Sequence, residues 1–202
     1  MTTMNSLRRT LLARSAAVLC GVAVSSSVFA ADMPQVSLKT SMGEIVLELD
    51  QEKAPITVAN FLQYVKSGFY KGTIFHRVID GFMIQGGGYD VKMKDKKTGK
   101  PIKNESANGL KNVTYSIAMA RTNVHDSATS QFFINVGDHP NLDYPGRDGS
   151  GYAVFGKVIS GQEVVDKIKG VLVDDTMGQQ NVPVVPIVIQ SASIVNAGKS
   201  VK

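Results

Sequence analysis

From Val36 onward, apolar residues return at every second position in short runs broken by turns, and this period fixes the fold class. In Gly43 to Leu49, the side chains of Ile45, Leu47 and Leu49 alternate with Glu44, Val46 and Glu48. Successive side chains of a strand point to opposite faces, so one face of this run is apolar and the other mostly polar. With Val36 to Thr40 before it and Ser41-Met42-Gly43 as the turn, it predicts a hairpin. Tyr115, Ile117 and Met119 repeat the pattern within Thr114 to Arg121. Ser130 to Val136 predicts a strand with Phe132 and Phe133 on opposite sides, and Tyr152 to Ile159 and Pro186 to Val195 predict two more. A helical period occurs twice. Pro55 to Val65 repeats at Ile56, Ala59 or Asn60, Phe61 or Leu62, and Val65, with Pro55 suited to the first turn and Gly68 to the exit. Gln162 to Ile168 places Val164, Val165 and Ile168 on one side. Tyr89 to Asn112 and Asp138 to Gly151 are long polar loops. About eight short strands and two helices, with no βαβ alternation, predict a mainly β domain: a closed antiparallel barrel or a sandwich, its open ends covered by helices.

One stretch concentrates chemistry. Phe75 to Ile79 predicts a strand, Asp80-Gly81 a turn, and Phe82-Met83-Ile84 the start of a second strand, followed by Gln85 and the glycines 86 to 88. The glycines let the backbone leave the strand at angles closed to other residues. If the two strands are neighbours, Arg77 and Gln85 flank an apolar patch of Phe82 and Met83. A cation beside a dry concave patch suits a small ring such as proline.

The first 30 residues do not belong to the fold. Arg8, Arg9 and Arg14 precede the apolar run Ala16 to Val24, and Val28-Phe29-Ala30 puts small residues where a signal peptidase reads. Cleavage is expected between Ala30 and Ala31, leaving residues 31–202 as one domain in a bacterial periplasm with no stable membrane anchor. The run is too short for a permanent bilayer span. Arg8-Arg9 does not decide between general and twin-arginine export. The whole chain carries 22 basic and 17 acidic residues, and removal of the three arginines leaves a net charge of only +2. That balance argues against nucleic acid as a partner, and the lysine-rich run Lys92 to Lys103 has no interleaved aromatics. Cys20 is the only cysteine, so the exported domain has neither disulfide nor thiolate chemistry.

Four runs, in order, resemble the cyclophilin-type peptidyl-prolyl isomerases, and most of all their exported bacterial branch. They are Phe75 to Gly88, Ile117-Ala118-Met119-Ala120, Ser130-Gln131-Phe132-Phe133-Ile134 and Val154-Phe155-Gly156-Lys157-Val158. The likeness covers nearly all of Val36 to Val195. It implies an eight-stranded antiparallel barrel capped by two helices, with a site on the outer surface, and an enzyme that turns X-Pro peptide bonds during folding of exported proteins. It implies Arg77 as the catalytic group and Phe82, Met83, Phe133 and Leu142 as the seat of the proline ring. Gln85 and Gln131 would bind substrate backbone, Ala120 and Arg121 would receive it as an added strand, and His76 would form a wall or donate a hydrogen bond.

The reaction makes and breaks no covalent bond, so no metal and no cofactor are expected. His125 and His139 lack ligand-like spacing. The partners implied are extended or unfolded proline-containing polypeptides, met by a monomer. The chain departs from the best-known eukaryotic members twice: Asn141 stands where those have Trp, and Tyr152 where they have His. The Trp is associated with cyclosporin binding, so weak binding of that macrocycle is expected. A second reading is a proline-peptide-binding chaperone whose rotation rate is incidental.

Overall fold

A hairpin of β1 (Gln35–Thr40) and β2 (Gly43–Leu49) begins the fold, as the alternation predicts. The structure is a computed structural model that describes residues 33–176 and 178–195. The leader, its cleavage site and Cys20 lie outside the described residues. Strands β3 (Thr73–Ile79) and β4 (Met83–Asp90) follow helix α1 (Pro55–Lys66). Short strands β5 (Ser116–Met119) and β6 (Phe132–Asn135) come next, then β7 (Val154–Ser160) and helix α2 (Gln162–Lys169). A ribbon of β8 (Val173–Thr176) and β9 (Gln179–Pro183) precedes the last strand, β10 (Ile187–Val195).

Eight strands close into an antiparallel barrel in the order β1-β10-β3-β4-β6-β5-β7-β2. The barrel decides between the two architectures that the pattern left open. Its interior holds Val36, Leu38, Ile45, Leu47, Phe75, Ile84, Ile117, Phe132, Ile134 and Phe155, all without solvent exposure. Val58, Phe61 and Val65 of α1 and Val164, Val165 and Ile168 of α2 belong to the same cluster. A closed wall of strands admits them only through its ends, so the helices cover those ends.

Three local expectations change. The buried stripe of α1 runs Thr57, Val58, Phe61, Val65, while Ile56 is exposed. The helix is turned by one position because the Glu105 carboxylate accepts from the amides of Ile56 and Thr57 and from the Thr57 hydroxyl. That long-range cap stands in for the side chain Ala54 lacks. Glycines 86 to 88 do not end a strand; β4 runs through them to Asp90. A Cβ on Gly86 would lie 2.9 Å from the Ile74 carbonyl, and one on Gly88 would meet the Gln131 side chain at 2.6 Å. Gly86 and Gly88 serve close packing, while Gly87, at φ +83°, takes the backbone angle closed to other residues that the sequence predicts. Finally, the β8–β9 ribbon stands outside the barrel, with every residue of β8 exposed, and so leaves no apolar period to read.

Candidate active site

One cross-strand row on the outer face of the barrel builds the site. Arg77 of β3 pairs with Gln85 of β4, Gln85 with Phe133 of β6, Phe133 with Ala118 of β5, and Ala118 with Val154 of β7. Paired residues share a face, so these side chains all point away from the core. Phe132, one position from Phe133, points inward. Met83, Ala118, Phe133 and Val154 form a second apolar cluster, separate from the barrel interior. Phe82, Leu142, Ala120 and Tyr152 pack around it.

The result is a cavity of about 120 Å³ lined by Arg77, Phe82, Met83, Gln85, Ala120, Arg121, Phe133, Leu142 and Tyr152. Eight of the ten residues picked from the sequence meet at this one place. Larger grooves exist, one of about 500 Å³ between α1 and residues 99–102, but none of the ten lines that one. The small volume suits one five-membered ring with its flanking peptide rather than a whole cofactor.

The two cations in the lining differ. No carboxylate among the described residues pairs with Arg77. Every nitrogen of the Arg121 guanidinium is engaged. Its Nε donates to the Gly151 carbonyl at 2.9 Å, its Nη1 to the Thr122 carbonyl at 3.0 Å, and its Nη2 to Asp148 at 2.6 Å. The guanidinium also lies 4.6 Å from the centre of the Tyr152 ring. Arg77 therefore keeps its donors for a bound molecule, while three of the five N–H donors of Arg121 are used within the protein.

Gln131 is not in the lining itself. Its Oε1 accepts from Gln85 Nε2 at 3.0 Å, which fixes the amide of Gln85 at the rim. Its main-chain carbonyl accepts from the Ala120 amide, the last rung of that pairing.

His76 is not in the lining either, against expectation. Between Phe75–Gly86 and Arg77–Gln85 the register shifts, so His76 is the extra residue of a bulge. Its side chain is 3% exposed and its ring lies 4.6 Å from that of Tyr89. Burial, and then the Arg77 charge, push its pKa from 6.5 down to about 4. A neutral imidazole behind Arg77 adds no competing charge to the site.

Three supports went unread in the sequence. Tyr152 meets Phe133 edge-to-face at 5.7 Å and lines the cavity. His139 Nε2 donates a hydrogen bond to the Phe82 carbonyl at 2.7 Å, and its ring sits against Phe82 at 4.9 Å. Asp143 takes hydrogen bonds from the amide and side chain of Asn112, which anchors the turn carrying Leu142. Among the described residues no three His, Cys, Asp or Glu side chains gather, and no helix is long and apolar enough to cross a membrane.

Comparison with known proteins points the same way as this geometry. The family model for cyclophilin type peptidyl-prolyl cis-trans isomerases (Pro_isomerase) matches residues 35–194. The chain is 54% identical over 189 residues to peptidyl-prolyl cis-trans isomerase A of Dickeya dadantii (strain 3937), covering 94% of this chain and 99% of that protein. It is 52% identical over 161 residues to peptidyl-prolyl cis-trans isomerase B of Escherichia coli (strain K12), covering 79% and 98%. A solved cyclophilin type isomerase of Cryptosporidium parvum, crystallised in the presence of the dipeptide Ala-Pro, matches with a TM-score of 0.67 and 29% identity, over 81% of this chain and 99% of that one.

Proposed function

This chain belongs to the cyclophilin-type peptidyl-prolyl cis-trans isomerases, enzymes that speed rotation about X-Pro peptide bonds, and we propose that it works through Arg77 held over the cup of Phe82, Met83, Phe133 and Leu142. The barrier comes from the partial double bond of the amide and is ~18–20 kcal/mol. Uncatalysed exchange takes roughly 10–100 s. A turnover of about 10³ per second corresponds to lowering the barrier by roughly 5.5–7 kcal/mol. No nucleophile is needed for that, only groups that hold the half-turned bond better than the flat one.

In the half-turned state the prolyl nitrogen becomes pyramidal and regains a lone pair. An N–H of Arg77 donates to that lone pair, which neither planar isomer presents. The contact exists only in the transition state, and so it raises the rate rather than the affinity. The cup holds the ring still while the acyl side turns. Gln85, steadied by Gln131, bonds the substrate main chain, and the strand end at Ala120 takes an extended segment by main-chain hydrogen bonds that read no sequence. Substrates are thus extended or unfolded proline-containing chains, as the Ala-Pro dipeptide present with the Cryptosporidium relative suggests.

The observation that carries this reading is the direct pairing of Arg77 with Gln85 at the rim of that cup. Its test is Arg77→Ala, followed by NMR exchange on a proline peptide. Turnover falls by about 10²–10³ while peptide affinity stays within a few-fold. A normal turnover refutes the role of Arg77. Lost turnover with intact affinity also sets aside the reading in which isomerisation is incidental to chaperoning.

The compartment is part of the proposal. Arg8, Arg9, Arg14 and the apolar run to Val24 support export, with cleavage after Ala30 and work on exported chains in the periplasm. The N-terminal residue of the protein recovered from a periplasmic fraction tests it: Ala31 supports cleavage and Met1 excludes it. We further propose a monomer with weak affinity for cyclosporin, because Asn141 offers no large flat contact beside Leu142.

A further inference from the structure

We propose that Arg121 is a positioning residue for the isomerase reaction: with Asp148 it latches residues 143–151 and holds the Tyr152 ring in place as one wall of the proline cup. The proposal rests on the assignment of that cup as the substrate site.

Four observations carry it. The Arg121 side chain is 4% exposed, yet all of its nitrogens donate, two to carbonyls and one to Asp148. A buried guanidinium is tolerated only when so satisfied. Two of these partners, Asp148 and Gly151, lie 27 and 30 residues away, in the loop that leads into Tyr152. The guanidinium carbon lies over the Tyr152 ring, 4.6 Å from its centre, and that ring in turn meets Phe133. The Tyr152 amide donates to the Leu142 carbonyl at 2.8 Å, so the loop leaves the cup and returns to it. Leu142 and Tyr152, the two ends of the loop, are both cup residues, and Arg121 ties its middle to the strand beside them.

The rest of the loop is pinned nearby but not at the cup. His125 shares a hydrogen bond with the Ser150 hydroxyl at 2.7 Å, and Asn104 Nδ2 donates to the Gly151 carbonyl at 3.2 Å. Those contacts keep the loop docked if the latch opens. What is lost then is the cation that backs the Tyr152 ring. A wall of this kind touches the proline ring in planar and half-turned states alike. Its contribution is uniform binding, which appears in KM and leaves kcat alone. Arg77 has the opposite signature.

The experiment measures KM and kcat separately, by NMR exchange on a proline peptide, for Arg121→Lys, Asp148→Asn and Asp148→Glu. Circular dichroism melts check the fold. Asp148 is 47% exposed, so its variants keep the fold even if an Arg121 variant does not. Asp148→Asn raises KM about 3- to 10-fold with kcat unchanged, and Asp148→Glu restores most of it. Arg121→Lys raises KM to a similar degree, because a single ammonium cannot replace the three-way fork that reaches Gly151, Thr122 and Asp148. A folded Asp148→Asn enzyme with wild-type KM overturns the latch. So does a fall in kcat at constant KM. If Arg77→Ala keeps its turnover, the cup assignment fails first. If Arg77→Ala fails to turn over while the latch variants behave as wild type, only the latch is lost.

Discussion

Two adjacent phenylalanines offer a sharp test of which face of the barrel does what. Phe132 and Phe133 are both buried, at 0% and 4% exposure, so burial does not tell them apart. Their partners do. Phe132 makes edge-to-face pairs with Phe61 at 5.6 Å, Tyr70 at 5.5 Å and Phe75 at 6.0 Å, all core residues. Phe133 makes one such pair, with Tyr152 at 5.7 Å. Each pair contributes about 0.5–1.5 kcal/mol beyond the area it buries. Phe132→Leu loses three and leaves a small void, for a cost of about 2–4 kcal/mol. At roughly 2–4 °C per kcal/mol for a domain of this size, its Tm falls by roughly 5–15 °C. Phe133→Leu loses one pair beside an open cavity and costs about 1 kcal/mol, a shift of roughly 2–4 °C. Its effect on activity is the larger one, since the proline ring loses its flat seat and kcat/KM falls about tenfold. Calorimetry and a protease-coupled proline peptide assay on both variants decide the matter. If Phe132→Leu proves the catalytically damaged but thermally sound variant, the assignment of faces is wrong.

Acid should weaken the fold through His76. Its pKa is depressed from 6.5 to about 4 in the folded state, so the unfolded chain binds the proton more readily. The stability it contributes is complete above pH 6.5 and is lost as pH falls through about 4, a change of about 3 kcal/mol. Urea midpoints between pH 7 and pH 4 should fall less steeply for His76→Gln, and an unchanged slope refutes this. Gly156→Ala should not fold normally, since its Cβ would lie 2.3 Å from the Glu48 carbonyl within the β2–β7 pairing. Gly68→Ala has open space and only a φ of +69° to bear, so it costs roughly 1 kcal/mol, and equal melting losses for the two would contradict the packing argument. Asn141→Trp supplies a flat apolar surface beside Leu142 and should tighten cyclosporin binding about tenfold or more by calorimetric titration. No gain would mean that the weakness of binding has another cause.

Apart from those that the family resemblance supplied, such as Leu142, the residues that could be placed from the sequence share one property: their position follows from a neighbour in the chain. Phe132 and Phe133 point apart because adjacent strand residues must. Arg77 and Gln85 meet because Asp80-Gly81 folds β3 onto β4 with little freedom of register. The failures occur where a contact arrives from elsewhere. His76 sits in a bulge, and one extra residue turns a side chain away from the face that strict alternation assigns it. Helix α1 turns toward Val58 because Glu105, far along the chain, caps it. Strand β8 is exposed and acidic, so it carries no apolar period.

Arg121 shows the same limit in the site itself. As a cation one position past Ala120, it resembles a residue free to meet substrate. Only the return of the chain 27 residues later brings Asp148 within 2.6 Å and neutralises it. Two arginines therefore line one cup with opposite duties, and the difference lies in their partners rather than their chemistry. A guanidinium with no carboxylate can spend its donors on a lone pair that exists for an instant. A guanidinium whose every nitrogen is already held serves to keep a wall still. Exchanging the two roles would require moving one carboxylate: an Asp148→Asn enzyme with a new acid beside Arg77 should lose turnover through Arg77 and affinity through Arg121, in separately measurable amounts.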